Sequence, residues 1–345
     1  MAPPGNPPPP ATKYFWGDVP EPDEYYASQG IRHAESYFQS PHGRLFTHAF
    51  HPLSAAHDGD VKGAVFMTHG YGSDSSWLFQ TVAIAYARWG YAVFCADLLG
   101  HGRSDGVRGY LGDMEAAAAA SLAFFLSVRT GEPYARLPAF LFGESMGGAV
   151  TLLMYLRSPR RDAARWTGLI LSAPLLVIPD DMYPSRVRLF LYGLLFGLAD
   201  TWAVLPDKRM VGKAIRDPEK LRVIASNPRL YRGAPRVGTM RELARVTEAL
   251  RGRFVEVEAP FLAVHGLDDG VTAPEGSRML YERAPSEDKE LILYDGMYHS
   301  LLQGEPDESR DRVLADMRRW IDERVRRHGP AAAANGGGGE EKPAA

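Results

Sequence analysis

Three residues with reactive side chains follow apolar runs in this chain: Ser145, Asp269 and His299. Ser145 lies in Gly143-Glu144-Ser145-Met146-Gly147, after the strand-type run Ala139 to Phe142 and before a helical pattern from Ala149 to Leu156. A serine on a tight strand-to-helix turn has a strained backbone and a hydroxyl lifted clear of the sheet. The residues two before and two after it must be small for the chain to pass itself, and Gly143 and Gly147 meet that demand. Asp269 follows the run Pro260 to Val264, and His299 follows Glu290 to Tyr294. A hydroxyl, a carboxylate and an imidazole at three such edges can carry out acyl chemistry. The imidazole takes the hydroxyl proton as the oxygen attacks an ester carbonyl, then returns it to the leaving alcohol; the carboxylate fixes the tautomer and stabilises the imidazolium.

The oxygen charge formed in that attack needs N–H donors. Met146 is the first, since helix N-terminal amides lack intrahelical acceptors. Tyr71, in the loop His69-Gly70-Tyr71-Gly72 after the strand Gly63 to Thr68, is the second. His69 is expected to order that loop and Glu144 to point away from the reaction. The spacing Gly266-x-x-Asp carries Asp269 to the crest of its loop and selects it, with Asp268 as the alternative. His101-x-x-x-Asp105 has the spacing used by acyl-CoA-dependent acyltransferases. Their Asp-Phe-Gly-Trp-Gly element is absent, so a supporting role at the rim is expected.

The elements that position these groups alternate. A hairpin from Ile31 to Phe50, turning at Ser40-Pro41-His42-Gly43, gives an antiparallel edge. Further strands are expected at Gly63 to Thr68, Tyr91 to Asp97, Ala139 to Phe142, Gly168 to Ser172, Pro260 to His265 and Glu290 to Tyr294. Helices are expected from Ser76 to Arg88, from Ala116 to Val128 behind an Asp113 cap, from Pro274 to Arg283 and from about Asp307 to Arg326. Strands apolar on both faces, separated by helices, predict an α/β fold with a mostly parallel eight-stranded sheet covered on two sides. The alternation stops between residues 175 and 253, where helical signals are broken by prolines; this span reads as an inserted helical cap. The remaining segments are a Pro-rich lead (1–13), the two halves of the core (14–174 and 254–328) and a low-complexity tail (329–345). The apolar stretch Val187 to Leu205 is the expected substrate-binding part of the cap, where it could line an acyl pocket or touch a membrane surface.

A chain of 345 residues with 45% hydrophobic content can bury a large core. A net charge of -3 leaves no footprint for nucleic acid. The single Cys95, inside an apolar strand, excludes an intrachain disulfide and suits a reducing, cytoplasmic setting. The longest uncharged apolar run, Leu189 to Ala199, is too short to span a membrane. No His-Glu-x-x-His, paired-cysteine or phosphate-loop motif is present, so no metal or cofactor is expected.

Together, His69-Gly-Tyr-Gly72, Gly100-His-Gly-Arg-Ser-Asp105, Gly143-Glu-Ser-Met-Gly-Gly148 and Asp295-Gly-Met-Tyr-His299 resemble the monoacylglycerol lipase family of α/β hydrolases. A wider likeness, from about residue 12 to 328, takes in Gly193 to Trp202, Met210 to Ile215, Ile224 to Pro228 and Val237 to Glu242 and is similar to plant esterases of that family. The resemblance implies the α/β-hydrolase fold and hydrolysis of caffeoyl shikimate to caffeate and shikimate in lignin-precursor synthesis. It equally admits monoacylglycerols or lysophospholipids as substrates. Transfer of the acyl group to an alcohol, or ligand binding without catalysis on the same fold, are the other readings.

Overall fold

The computed structural model describes residues 14–15, 22–158, 166–178, 200–201 and 214–328. Eight strands form one sheet in the order β1-β2-β4-β3-β5-β6-β7-β8. They are β1 (Ile31–Ser40), β2 (Gly43–Pro52), β3 (Ala64–Thr68), β4 (Ala92–Ala96), β5 (Ala139–Glu144), β6 (Gly168–Ser172), β7 (Phe261–Gly266) and β8 (Lys289–Tyr294). β2 runs antiparallel to both β1 and β4, and every pairing from β4 to β8 is parallel.

Every residue of β3 to β7 is buried, as the continuous apolar runs require of strands covered on both faces. Alternate side chains serve opposite layers. Phe66, Phe94, Leu141 and Leu171 face one core, and Val65, Met67, Phe140, Phe142 and Ile170 face the other. The first layer is covered by α3 (Met114–Arg129), α4 (Met146–Arg157), α6 (Val237–Arg253) and α7 (Pro274–Arg283). The second is covered by α1 (Pro22–Ser28), α2 (Trp77–Arg88) and α8 (Asp307–His328); α8 inserts Val313, Met317, Trp320 and Ile321 at helical spacing. Full burial of each such apolar side chain contributes about 1.5–3 kcal/mol.

The β8 edge departs from the expected pattern. Only Tyr294 is fully buried there, because among the described residues no further strand covers its outer side. α4 starts at Met146, three residues earlier than the apolar pattern suggests, since glycines 147 and 148 conceal the helical period in the sequence. Asp113 caps α3 by accepting from the Ala116 amide at 2.9 Å. Within 175–253 the described elements are α5 (Pro218–Ser226), capped by Asp217, and α6. α6 buries Leu243, Ala244, Val246 and Leu250 against the first layer, so this end of the span expected as a cap packs into the core. Of the stretch from 187 to 205, only Asp200 and Thr201 are among the described residues. No described helix is long and apolar enough to cross a membrane.

Candidate active site

Ser145 follows the last residue of β5 and precedes the first of α4, with φ 57° and ψ -124°. A non-glycine residue there carries strain that only tight surroundings maintain. The surroundings are tight on both sides. A Cβ on Gly143 would strike the Gly147 carbonyl and Thr151 Oγ1, and one on Gly147 would strike the carbonyls of Thr68 and His69. Gly147→Ala therefore forces β3 and α4 apart. It is expected to cost about 1–3 kcal/mol of stability, read as a lowered melting temperature, together with a loss of activity as the turn shifts.

The structure brings Ser145, His299 and Asp269 into one hydrogen-bonded chain. Ser145 Oγ lies 2.8 Å from His299 Nε2, and His299 Nδ1 lies 2.7 Å from Asp269 Oδ2. Asp269 is held on every side. Its Oδ1 accepts from the amides of Val271 at 2.7 Å and Thr272 at 2.9 Å, while Oδ2 also accepts from Thr272 Oγ1 at 2.8 Å. Asp268, not Asp269, stands exposed at the crest of the loop. Asp269 instead turns inward and its carboxylate caps the turn that follows, so the crest expected for Asp269 belongs to Asp268.

His265, at the end of β7, was missed in the sequence. Its Nε2 lies 3.0 Å from Asp269 Oδ2 and its Nδ1 lies 2.8 Å from Ser277 Oγ. A second imidazole thus shares the carboxylate that faces His299. The signal available was a histidine inside an otherwise apolar strand, four residues before the acid.

Burial works to lower the His299 pKa, but the charge and hydrogen bond of Asp269, with a smaller push from Glu144, more than offset it and leave the imidazole above its ordinary value. Burial likewise works to raise the Asp269 pKa. His299 and His265 outweigh it and hold the carboxyl well below the usual range. Glu144 is buried with both oxygens taken by Gln303 Nε2, at 2.9 and 2.8 Å; burial raises its pKa.

Met146 opens α4, so its N–H has no intrahelical acceptor. The loop carrying Tyr71 passes against Ser145: a Cβ on Gly70 would lie 3.2 Å from Ser145 Cβ and 3.7 Å from its Oγ. His69 shapes this loop. Its Nε2 accepts from the Leu98 amide at 3.0 Å, which leaves the ring proton on Nδ1 to bond the Gly70 carbonyl at 2.8 Å. His101 and Asp105 serve separate ends of the neighbouring turn. His101 is buried, with its pKa pushed down to about 3 by burial and His69, while Asp105 accepts from the Arg44 amide at 2.9 Å.

Among the described residues, His33, Glu35 and His48 offer ligand atoms within 4.8 Å of one another. They sit on the β1-β2 hairpin. The two imidazoles bond each other at 2.8 Å, and Arg103 binds both oxygens of Glu35, so these groups are already committed.

Residues 59–307 match the Hydrolase_4 family, described as serine aminopeptidase, S33. The chain is 61% identical over 319 residues to the caffeoylshikimate esterase of Arabidopsis thaliana, covering 92% of this chain and 94% of that protein. It is 30% identical to the monoacylglycerol lipase of Mycolicibacterium smegmatis, covering 76% of this chain and 89% of that one. Among solved structures, a soluble variant of the monoglyceride lipase of Saccharomyces cerevisiae, in complex with a substrate analog, superposes with a TM-score of 0.69. That match has 22% identity over 84% of this chain and 94% of the other, a likeness of fold.

Proposed function

This chain belongs to the serine hydrolase family described as serine aminopeptidase, S33, and we propose that it hydrolyses caffeoyl shikimate to caffeate and shikimate through an acyl-enzyme on Ser145. Ester hydrolysis is its class of activity. The observation that carries the chemistry is the relay of 2.8 and 2.7 Å bonds from Ser145 through His299 to Asp269. The aromatic acyl group is supported by 61% identity to the Arabidopsis esterase across nearly the whole of both chains.

In this reading neutral His299 accepts the Ser145 proton on Nε2 as Oγ attacks the ester carbonyl. Asp269 holds the Nδ1 proton in place and stabilises the imidazolium that forms. The amides of Tyr71 and Met146 bond the developing oxyanion. The imidazolium then protonates the shikimate oxygen, the C–O bond breaks, and a caffeoyl ester remains on Ser145. Water, deprotonated by the same imidazole, attacks that ester; caffeate leaves and Ser145 regains its proton.

A second reading, hydrolysis of glycerol monoesters, has the support of the mycobacterial monoacylglycerol lipase, whose chain is matched over 89% of its length. A substrate panel separates the two. Caffeoyl shikimate, its coumaroyl and quinate relatives and a monoacylglycerol are compared by kcat/KM on the purified protein. The expected result is a preference for the aromatic shikimate esters of at least about tenfold, a difference of about 1.4 kcal/mol in transition-state binding. A preference of that size for the monoacylglycerol would replace the first reading by the second.

A further inference from the structure

One segment, from Ala214 to Tyr231, fastens to both loops that serve Ser145. At its start the Ala214 carbonyl accepts from the Ser300 amide at 2.9 Å, and the amides of Arg216 and Asp217 donate to the Gly304 carbonyl at 3.0 and 2.9 Å. Arg216 Nη1 reaches the Gly296 carbonyl at 2.9 Å and Lys220 Nζ the Glu305 carbonyl at 2.6 Å, which grips the loop of His299. At its end the segment holds the loop of Tyr71. The Tyr231 amide donates to the Gly72 carbonyl at 2.8 Å, Arg229 Nη1 reaches Ser76 Oγ at 3.3 Å, and the Val223 carbonyl accepts from Trp77 Nε1 at 2.7 Å. Trp77 has φ 51°, in the same strained left-handed region as Ser145 and Ala173.

The centre of this second grip is buried. Asn227, 3% exposed, donates from Nδ2 to Asp74 Oδ1 at 2.8 Å, and Asp74 is 1% exposed. Asp74 Oδ2 accepts from Ser76 Oγ. The next residue, Ser75, donates its amide to Asp97 at 2.8 Å, and Asp97 also accepts from the Arg103 amide at 2.9 Å. Asp97 is raised above the usual carboxylate range by burial and by the neighbouring Asp74. Two carboxylates buried side by side repel, so the one neutral amide that donates to Asp74 has a large effect on where the turn settles.

We propose that Asn227 is a positioning residue for the reaction: through Asp74 it fixes the turn after Tyr71 and so holds the Tyr71 N–H at the place where the oxyanion forms. The inference rests on the proposed hydrolysis and adds a residue far along the chain from Ser145, Asp269 and His299. An oxyanion donor acts on the transition state and little on the bound ester, so its misplacement lowers kcat and leaves KM nearly unchanged.

The test uses the full chain and p-nitrophenyl butyrate, with Ser145→Ala as the reference for the underlying reading. Asn227→Ala is expected to lower kcat by about tenfold to a hundredfold, with KM within about threefold. Asn227→Asp sets a third carboxylate against Asp74 and is expected to be worse. Adding Asp74→Asn to it reverses donor and acceptor and is expected to return kcat to within about threefold of the native enzyme. Native kcat in Asn227→Ala, or a folded reversed pair that stays as slow as the single variant, overturns the proposal. If Asn227→Ala does not fold, the reversed pair alone decides. Absence of hydrolysis by the native chain, or native rates in Ser145→Ala, would strike the proposed function instead.

Discussion

Replacing Ser145 by alanine is expected to lower kcat/KM by about 10⁴- to 10⁶-fold while the fold persists, because the proposed mechanism then loses its nucleophile and keeps only binding and the oxyanion donors. The backbone adds a second expectation. Ser145 sits at φ 57°, ψ -124°, a conformation that suits glycine and burdens every residue with a Cβ. Ser145→Gly should therefore be as inactive as the alanine variant yet more stable than the native chain. The released strain is about 1–3 kcal/mol and is reduced by the greater freedom of an unfolded glycine, for a net gain of about 1 kcal/mol. Steady-state rates and thermal melts on the two variants check both parts. Rates within tenfold of native would remove Ser145 from the reaction, and a glycine variant less stable than native would mean that the turn is not strained.

The second large effect is expected at Asp269. Its Oδ1 accepts two backbone amides, from Val271 and Thr272. In Asp269→Asn that side must remain an oxygen, so the new NH2 group faces His299 Nδ1. The imidazole then accepts on Nδ1 and carries its proton on Nε2, the wrong tautomer to receive a proton from Ser145, and kcat should fall by about 10⁴-fold. The sign of the pH effect follows from the same contacts. The proposed mechanism needs neutral His299, whose pKa stands above its ordinary 6.5, so activity is expected to be lost as pH falls through that raised value. Without the carboxylate, burial dominates and the acid limb of kcat/KM moves to lower pH. Asp268→Asn, on the exposed crest, should change neither quantity by more than about twofold. An unmoved acid limb in Asp269→Asn, or a large loss in Asp268→Asn, would reverse the assignment between the two acids.

Much of this geometry follows from local sequence. Continuous apolar runs announce β3 to β7 because strands buried on both faces have no polar side to show. Gly143 and Gly147 mark the turn at Ser145 because any larger residue would collide with backbone. The approach of Asp269 and His299 could be anticipated because each follows its own parallel strand, and parallel strands deliver their ends to the same side of a sheet. What could not be read depends on contacts between distant residues. The bond from Asn227 to Asp74 joins positions 153 apart in the chain, and neither residue sits in a pattern that betrays the other. His265 was concealed for a different reason: one polar residue in an apolar strand reads as an interruption until the carboxylate beside it is seen.

The placement of β7 also bears on how the chain is made. β6 takes β5 on one side and β7 on the other, yet β7 follows β6 only after the long stretch of residues 173–260. While that span is being synthesised, a nascent polypeptide that has formed its first six strands displays β6, with its apolar run Leu169 to Leu171, as an open edge able to pair with a neighbour on the same polysome. Ser145 emerges early and Asp269 and His299 late, so the site of the proposed reaction is complete only when the last strands dock.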